Sequence, residues 1–262
     1  MKRFLPLIIL LSASLTVLAQ VPDTINITDS RGKKQGYWIK RDDDGKVLYE
    51  GRFIDDNPVG EFRRYYPDGR LRSLMVHSGG SPEVFVKFFH PNGFIAAEGL
   101  YINQKKEGNW KFFSKNSSEY LICEELYRND LRNGPSVKYY KDGIIAEKLN
   151  YTDDIRTGEW TQYYVTGKLC IKAAYVKGLL EGPFEVFYPN GQHEFKGQYT
   201  NNVRNGLWLV YKEDGKPEFE MNYKMGRLDD PSFAQRENNF LDMLEKNKGK
   251  IADPEITGII WN

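Results

Sequence analysis

Glycine returns to one place in this chain seven times, at Gly36, Gly60, Gly108, Gly134, Gly158, Gly182 and Gly206. The steps are 24, 48, 26, 24, 24 and 24, and the 48 is two periods with Val84 standing at the midpoint. With this opening residue as position zero, a second glycine follows at position nine in most copies, as in Gly69, Gly93, Gly143, Gly167 and Gly191. An aromatic occupies position two at Trp38, Phe62, Trp110, Trp160, Phe184 and Trp208, and another falls near position seventeen, as at Phe53, Tyr101, Tyr151 and Tyr223. Columns held in register like these mean one small unit written eight times, over residues 36–229. A unit too small to bury its own apolar face is stable only when stacked on its neighbours.

The unit reads as a hairpin. Pro67-Asp68-Gly69 and Pro189-Asn190-Gly191 suit a three-residue loop, in which proline sets φ for a type I turn and glycine closes it in the left-handed region. The flanks are rich in Tyr, Phe, Val and Ile, which fit a pleated surface. The expected fold class is therefore all-β: an elongated antiparallel meander of about eight stacked hairpins. Sixteen strands at roughly 4.8 Å each would span about 75 Å. Position five faces position eleven across the loop, pairing Tyr65 with Leu71 and Tyr163 with Leu169. By simple alternation, that side should also take the position-seventeen aromatics. The other side should take the position-two rings and the position-six tyrosines, with the charged residues of position fourteen (Glu50, Glu98, Lys148, Lys172, Lys196, Glu220) among them.

Both ends depart from the period. Met1 to Gln20 has the form of a secretory signal peptide: Lys2 and Arg3, an apolar run from Leu5 to Leu18, and small residues before a cut near Ala19 or Gln20. The apolar run is short for a membrane span, so the mature chain is expected to be periplasmic or secreted and not membrane-spanning. Residues 21–35 resemble the end of a repeat and should act as an N-terminal half-repeat cap. After Asp229 the pattern stops. Ser232-Phe233-Ala234-Gln235 has the form of a capping box, and a helix over 232–248 followed by an apolar tail is expected to cover the last strand within a C-terminal cap, residues 230–262. Copies three and four are irregular: Val84 and Val86 replace Gly and an aromatic, and Lys115-Asn116-Ser117-Ser118 replaces the turn glycine.

Removing Lys2 and Arg3 leaves 35 basic against 36 acidic residues, so nothing favours a nucleic acid or an anionic lipid surface. Cys123 and Cys170 fall four strands apart in the expected register, roughly 19 Å. A disulfide needs Cα atoms within about 7 Å, so two separate thiols are expected. His77, His90 and His193 occupy three different repeat positions without metal-ligand spacing. No nucleophile elbow or phosphate loop is present. The sequence points to no enzyme, no cofactor and no metal.

The spacing Gly-x-Trp-x-x-Tyr-Tyr-x-x-Gly-x-Leu, then Tyr, then a stretch to the next glycine, resembles the MORN-repeat family, above all its bacterial variant, whose members are often labelled as antitoxin components of toxin–antitoxin systems. The resemblance covers residues 36–229. It implies consecutive antiparallel hairpins in an elongated, curved sheet, and protein or lipid association as a scaffold. It implies no catalytic residue. The leader would carry this chain away from cytoplasmic toxins.

Function is thus expected to reside in contact. The aromatic columns either pack between hairpins or leave one face partly open. In the second case Trp38, Trp110, Trp160 and Trp208, with Tyr66, Tyr140, Tyr164 and Tyr188, would contact an extended ligand. A protein partner is the first expectation and a cell-envelope glycan the alternative. The roles that follow are an extracytoplasmic interaction or scaffold module, an immunity-like inhibitor that masks a specific toxin, or a glycan-binding surface.

Overall fold

A computed structural model describes residues 24–117 and 120–230, with isolated positions beyond them. The expected leader lies outside the described residues, as does the expected C-terminal helix apart from those isolated positions. The elements are β1 (Ile27–Thr28), β2 (Lys34–Arg41), β3 (Val47–Ile54), β4 (Asn57–Tyr65), β5 (Leu71–His77), β6 (Glu83–Phe89), β7 (Ile95–Ile102), β8 (Lys105–Phe113), β9 (Leu121–Arg128), β10 (Leu131–Tyr139), β11 (Ile145–Thr152), β12 (Ile155–Tyr163), β13 (Leu169–Val176), β14 (Leu179–Leu180), β15 (Gly182–Phe187), β16 (His193–Thr200), β17 (Val203–Tyr211), β18 (Pro217–Lys224) and β19 (Arg227–Leu228). All are strands. Each pairs antiparallel with its chain neighbours, and the substantial contacts run only between such neighbours. The result is a single-layer meander. The pair β14 and β15 is one strand interrupted at Glu181, so the eight copies contribute sixteen strands, and β1 and β19 are short additions at the two ends.

Most successive strands are joined by one of two kinds of turn, which alternate along the chain, the longer β5–β6 and β8–β9 connections being the exceptions. The first is the three-residue loop: in copy six the Tyr164 N–H donates to the Lys168 carbonyl, the Gly167 N–H donates to the Tyr164 carbonyl, and Gly167 has φ +78°. The second connects one copy to the next, and it is a two-residue turn with both residues left-handed, as at Asp55-Asp56, Asp153-Asp154 and Asn201-Asn202. This is the hairpin turn whose twist matches that of its strands, and Asn, Asp and Gly tolerate it best. Lys177-Gly178 and Met225-Gly226 take the same form. Each copy's first strand therefore begins before its opening glycine. That glycine lies inside the strand as a bulge: Lys148 pairs with Thr161 and Asn150 with Thr157, leaving Gly158 (φ +70°) in the irregular step between. The β5–β6 junction confirms the cause by exception. Val84 cannot take positive φ cheaply, and there the ladder runs from His77↔Val84 to Ser73↔Phe88 with no shift.

A second irregularity corrects the expected sidedness. In copy six Tyr163 pairs with Leu169, but Gln162 pairs with Ile171, so Cys170 is an extra residue on β13. Every copy carries such a bulge at position twelve; Ala146 and Glu194 occupy it in copies five and seven. One added residue moves every later side chain to the other face. The position-seventeen aromatics therefore join the position-two rings: Trp160 pairs with Ala173 and Gly158 with Tyr175 on one face. The charged position fourteen goes to the opposite face, beside position three, as in Thr161↔Lys172. Cys123 on β9 and Cys170 on β13 are separate thiols, four strands apart.

The turns bind the copies together along both long sides of the sheet. On one side the position-six tyrosine of four copies donates its hydroxyl to the position-five carbonyl of the next: Tyr66 to Phe89 (2.7 Å), Tyr140 to Tyr163 (2.6 Å), Tyr164 to Phe187 (2.6 Å) and Tyr188 to Tyr211 (2.9 Å). His90 takes this role in copy three, with its ring nitrogen 3.1 Å from the Phe113 carbonyl. On the other side the second residue of four of the two-residue turns, where it is Asp or Asn, bonds twice to the strand entry one copy earlier. The Asp154 N–H donates to the Arg132 carbonyl, and Asp154 Oδ1 accepts from the Arg132 N–H. Asp56 with Lys34, Asp130 with Lys106 and Asn202 with Leu180 repeat the arrangement.

Candidate binding surface

The face that carries the position-two rings is closed. Trp110 and Trp208 are fully buried, with Phe195, Met221 and Val86. Trp208 meets Tyr199 edge-on at 5.3 Å between centroids and Tyr223 at 6.2 Å, while Phe195 stacks on it at 6.3 Å. Such a ring can lie flat on the sheet only where the neighbouring strand leaves room. The room comes from glycine: a Cβ on Gly197 would land inside the Trp208 indole, and one on Gly99 inside that of Trp110. Gly51 serves Phe62 in the same way. At two junctions where position fifteen is larger, the facing ring is absent: Met75 pairs with Val86, and Glu125 with Ser136. At these junctions volume is conserved, as close packing demands, whereas Leu149 meets Trp160, which stays half-buried.

Cations complete this face. In five copies the residue two before the opening glycine lays its charge over the rings of its own copy. Lys34 Nζ is 5.0 Å from the Trp38 ring and 4.9 Å from Phe53, and Lys106 Nζ is 4.8 Å from Trp110 and 4.6 Å from Tyr127. Arg132 sits 4.0 Å over Tyr151, and Arg204 is 5.4 Å from Trp208. An ammonium over a ring face is attracted by its quadrupole while its stem covers apolar surface. Burial pulls the Lys106 ammonium below the usual lysine range, with nearby carboxylates opposing the shift.

The side chains expected as ligand contacts are thus placed as follows. Trp110 and Trp208 have no open surface, while Trp38 and Trp160 are half-buried. Trp38 Nε1 donates to the Ile27 and Gln35 carbonyls (3.1 Å each), Trp110 Nε1 to the Leu100 carbonyl (3.1 Å), and Trp160 Nε1 to Glu147 (3.3 Å). The hydroxyls of Tyr66, Tyr140, Tyr164 and Tyr188 are engaged in the inter-copy ladder. The structure does bring these eight residues into two regular series, but both series hold copies together.

The opposite face is open, and it is organised in stripes. One stripe is the position-five ring, half-buried in seven consecutive copies: Tyr65, Phe89, Phe113, Tyr139, Tyr163, Phe187 and Tyr211. Two strands separate neighbours, about 9.6 Å. Beside it runs the row built from positions three and fourteen. Lys87, Glu98, Lys111 and Glu124 are cross-strand neighbours of alternating sign on β6 to β9, with Lys87–Glu98 at 3.2 Å and Lys111–Glu124 at 3.6 Å. The two stripes are tied together: the Tyr65 hydroxyl donates to Glu50 at 2.5 Å and that of Tyr139 to Glu124 at 2.9 Å. Burial, and then the carboxylate neighbour, pushes each of these phenols up to about 12. Among the described residues no group of His, Cys, Asp and Glu could hold a metal ion, and no helix is long and apolar enough to cross a membrane.

This hairpin geometry coincides with the matches found by comparison with known families. The model described as MORN repeat variant matches residues 58–77, 132–153, 180–201 and 204–225. Each match starts at or near the cation position, crosses the three-residue loop and ends near the position-seventeen aromatic. The chain is built from MORN-variant repeats. The copies between the matched ones share their strand pairing. No curated protein matches the chain.

Proposed function

We propose that this MORN-repeat protein is a non-catalytic scaffold that works outside the cytoplasm and holds a protein partner along its open face. One observation supports the reading above others: one face of a single-layer sheet is closed by its own rings and cations, while the other presents a half-buried ring at the same position in seven copies beside a row of alternating charge. Rings of this kind supply contact area at low entropic cost, and balanced charges set register more than raw affinity. The alternation does not favour a strongly basic toxin as partner, which weakens the immunity-like reading. A chain with the apolar leader at residues 1–20 would meet its partner in the periplasm or beyond.

The ring stripe also gives a glycan a regular stacking surface, and this is the second reading. The test is co-purification from the native envelope with the full mature chain, beside Tyr163→Lys/Phe187→Lys, with insoluble cell-wall polymer as a parallel bait. Retention of one protein by the unsubstituted chain, lost in the double variant at unchanged circular dichroism, supports the scaffold. Retention on polymer alone supports the glycan reading. Equal retention by both chains overturns the open-face assignment.

A further inference from the structure

One repeat position divides the molecule in two. Three residues before the opening glycine the first four copies carry Lys33, Asn57, Ser81 and Lys105, and the last four carry Leu131, Ile155, Leu179 and Val203. The turn before this position is of the same two-residue kind at Asn57 and Lys105 as in the last four copies, so the fold does not require an aliphatic side chain there. These side chains lie on the open face next to the turns: Ile155 pairs with Thr152, and Leu179 with Val176. Leu131 is 41% exposed, Ile155 and Val176 are each 52% exposed, and Leu179 is 38% exposed. They make one ridge along the C-terminal half. Basic residues of the same two columns mark both ends of it, Arg128 beside Leu131 at one end and Lys224 with Arg227 past the other; all three are exposed and pair with no carboxylate among the described residues. The carboxylates of this edge are engaged elsewhere: Asp130 accepts from the Lys106 N–H, Asp153 from the Asn133 side chain, and Asp154 from Arg132.

From this we infer that the ridge formed by Leu131, Ile155, Val176 and Leu179 is the docking line for an amphipathic helix of a partner protein, with aliphatic side chains one heptad apart and acidic residues toward its ends. The inference rests on the scaffold reading and names where and how the partner binds. Charge complementarity sets the acidic ends, opposite the unpaired cations. Pitch sets the helix: Leu131, Ile155 and Leu179 stand two strands apart, about 9.6 Å, and seven residues of helix rise about 10.5 Å. An extended strand repeats a face every about 6.8 or 13.6 Å and falls out of step. A bilayer is the poorer occupant, because the turns that would enter it first carry Asp130, Asp153 and Asp154.

The test uses the full mature chain against a displayed library of four-heptad helical peptides with randomised faces, and against vesicles of phosphatidylglycerol and phosphatidylcholine. Peptides with aliphatic residues at seven-residue spacing and acidic ends should be enriched. Their affinity should fall at least tenfold in Ile155→Glu/Leu179→Glu and several-fold in the milder Ile155→Thr/Val176→Thr, which keeps β-branched residues in the strands. Both variants should melt as the parent does. Enrichment of no peptide, equal binding by parent and variants, or ridge-dependent uptake on vesicles alone would overturn the assignment. Should the ridge variants keep the native partner while Tyr163→Lys/Phe187→Lys loses it, the ridge falls and the scaffold reading stands.

Discussion

The two faces of this sheet use aromatic residues in opposite ways. On the closed face the two fully buried indoles each answer a specific vacancy in the neighbouring strand, so Trp208 depends on Gly197 and Trp110 on Gly99. On the open face the rings repeat at one position with no such partner, and Tyr, Phe and Tyr follow one another without a matching change alongside. A column whose members are fixed by their neighbours holds the fold, while a column free to vary among rings supplies surface. The largest expected effect therefore belongs to the closed face. Trp208→Ala should lose about 3–5 kcal/mol, the range for emptying a buried aromatic site, whereas Phe187→Ala on the open face should cost far less. Chemical denaturation of both variants measures the gap, and equal losses would erase the distinction between the faces.

The glycine side of the same pair gives the next effect. Gly197→Val forces two groups into one volume, and overpacking of this kind costs about 1–3 kcal/mol. The sharper measurement is the double variant. If the two residues share one space, Gly197→Val in the Trp208→Ala background should cost little or even restore stability, so the pair should be strongly non-additive. Simple addition would mean that the vacancy and the ring are unrelated.

Much of this was legible before any coordinates. The period, the three-residue loop closed by residues such as Gly167, the meander and the separation of Cys123 from Cys170 all follow from spacing, because turns and strand pairing are local. The sidedness was not legible. Alternation placed Tyr175 opposite Trp160, and one bulge at Cys170 reversed it; a bulge leaves no fixed residue type behind, since Ala146, Cys170 and Glu194 all fill it. The two-residue turns were readable in principle from Asp55-Asp56, Asn201-Asn202 and Lys177-Gly178, as were the cations two residues before five of the seven opening glycines. The pairing of small with large across a junction was visible only once Gly197 and Trp208, eleven residues apart, could be seen as neighbours. The candidate ligand contacts were found as a pattern, but sequence regularity alone does not separate a structural ladder from a binding one.

Smaller effects test the inter-copy ladder. Tyr164→Phe removes one hydroxyl from the Phe187 carbonyl and should cost about 1 kcal/mol, the usual net value of such a bond. The same substitution at Tyr163, on the open face and with no hydroxyl bond to the described residues, should sit near zero. Titration extends the comparison. The phenols of Tyr37, Tyr65 and Tyr139 are each pushed up to about 12, by burial first and by Glu50 or Glu124 second. A folded value above the unfolded one of about 10 means stability that is intact below pH 10 and lost as pH rises through 12. These groups are mostly solvent-accessible, so the loss should be modest. An alkaline melting series should show the decline starting above pH 10, reduced in Tyr65→Phe/Tyr139→Phe; a decline beginning near neutrality would point to other groups.

The smallest effect expected lies in the charge row. Exchanging Lys87 and Glu98, as Lys87→Glu with Glu98→Lys, reverses a pair at 3.2 Å without removing it. Exposed pairs contribute about 0–1 kcal/mol, but the row has a memory of sign: Glu98 also faces Lys111, so the exchange sets a second ammonium against that lysine. Stability should therefore fall by roughly 0.5 kcal/mol, in line with a like-charge cross-strand contact, and the loss should shrink in high salt as screening shortens the reach of each charge. Partner binding along the open face should respond much more than stability does, because a row of alternating sign fixes the register of whatever lies on it. A swap that leaves both stability and binding untouched would reduce the row to solvated surface and leave the rings as the only specific feature of that face.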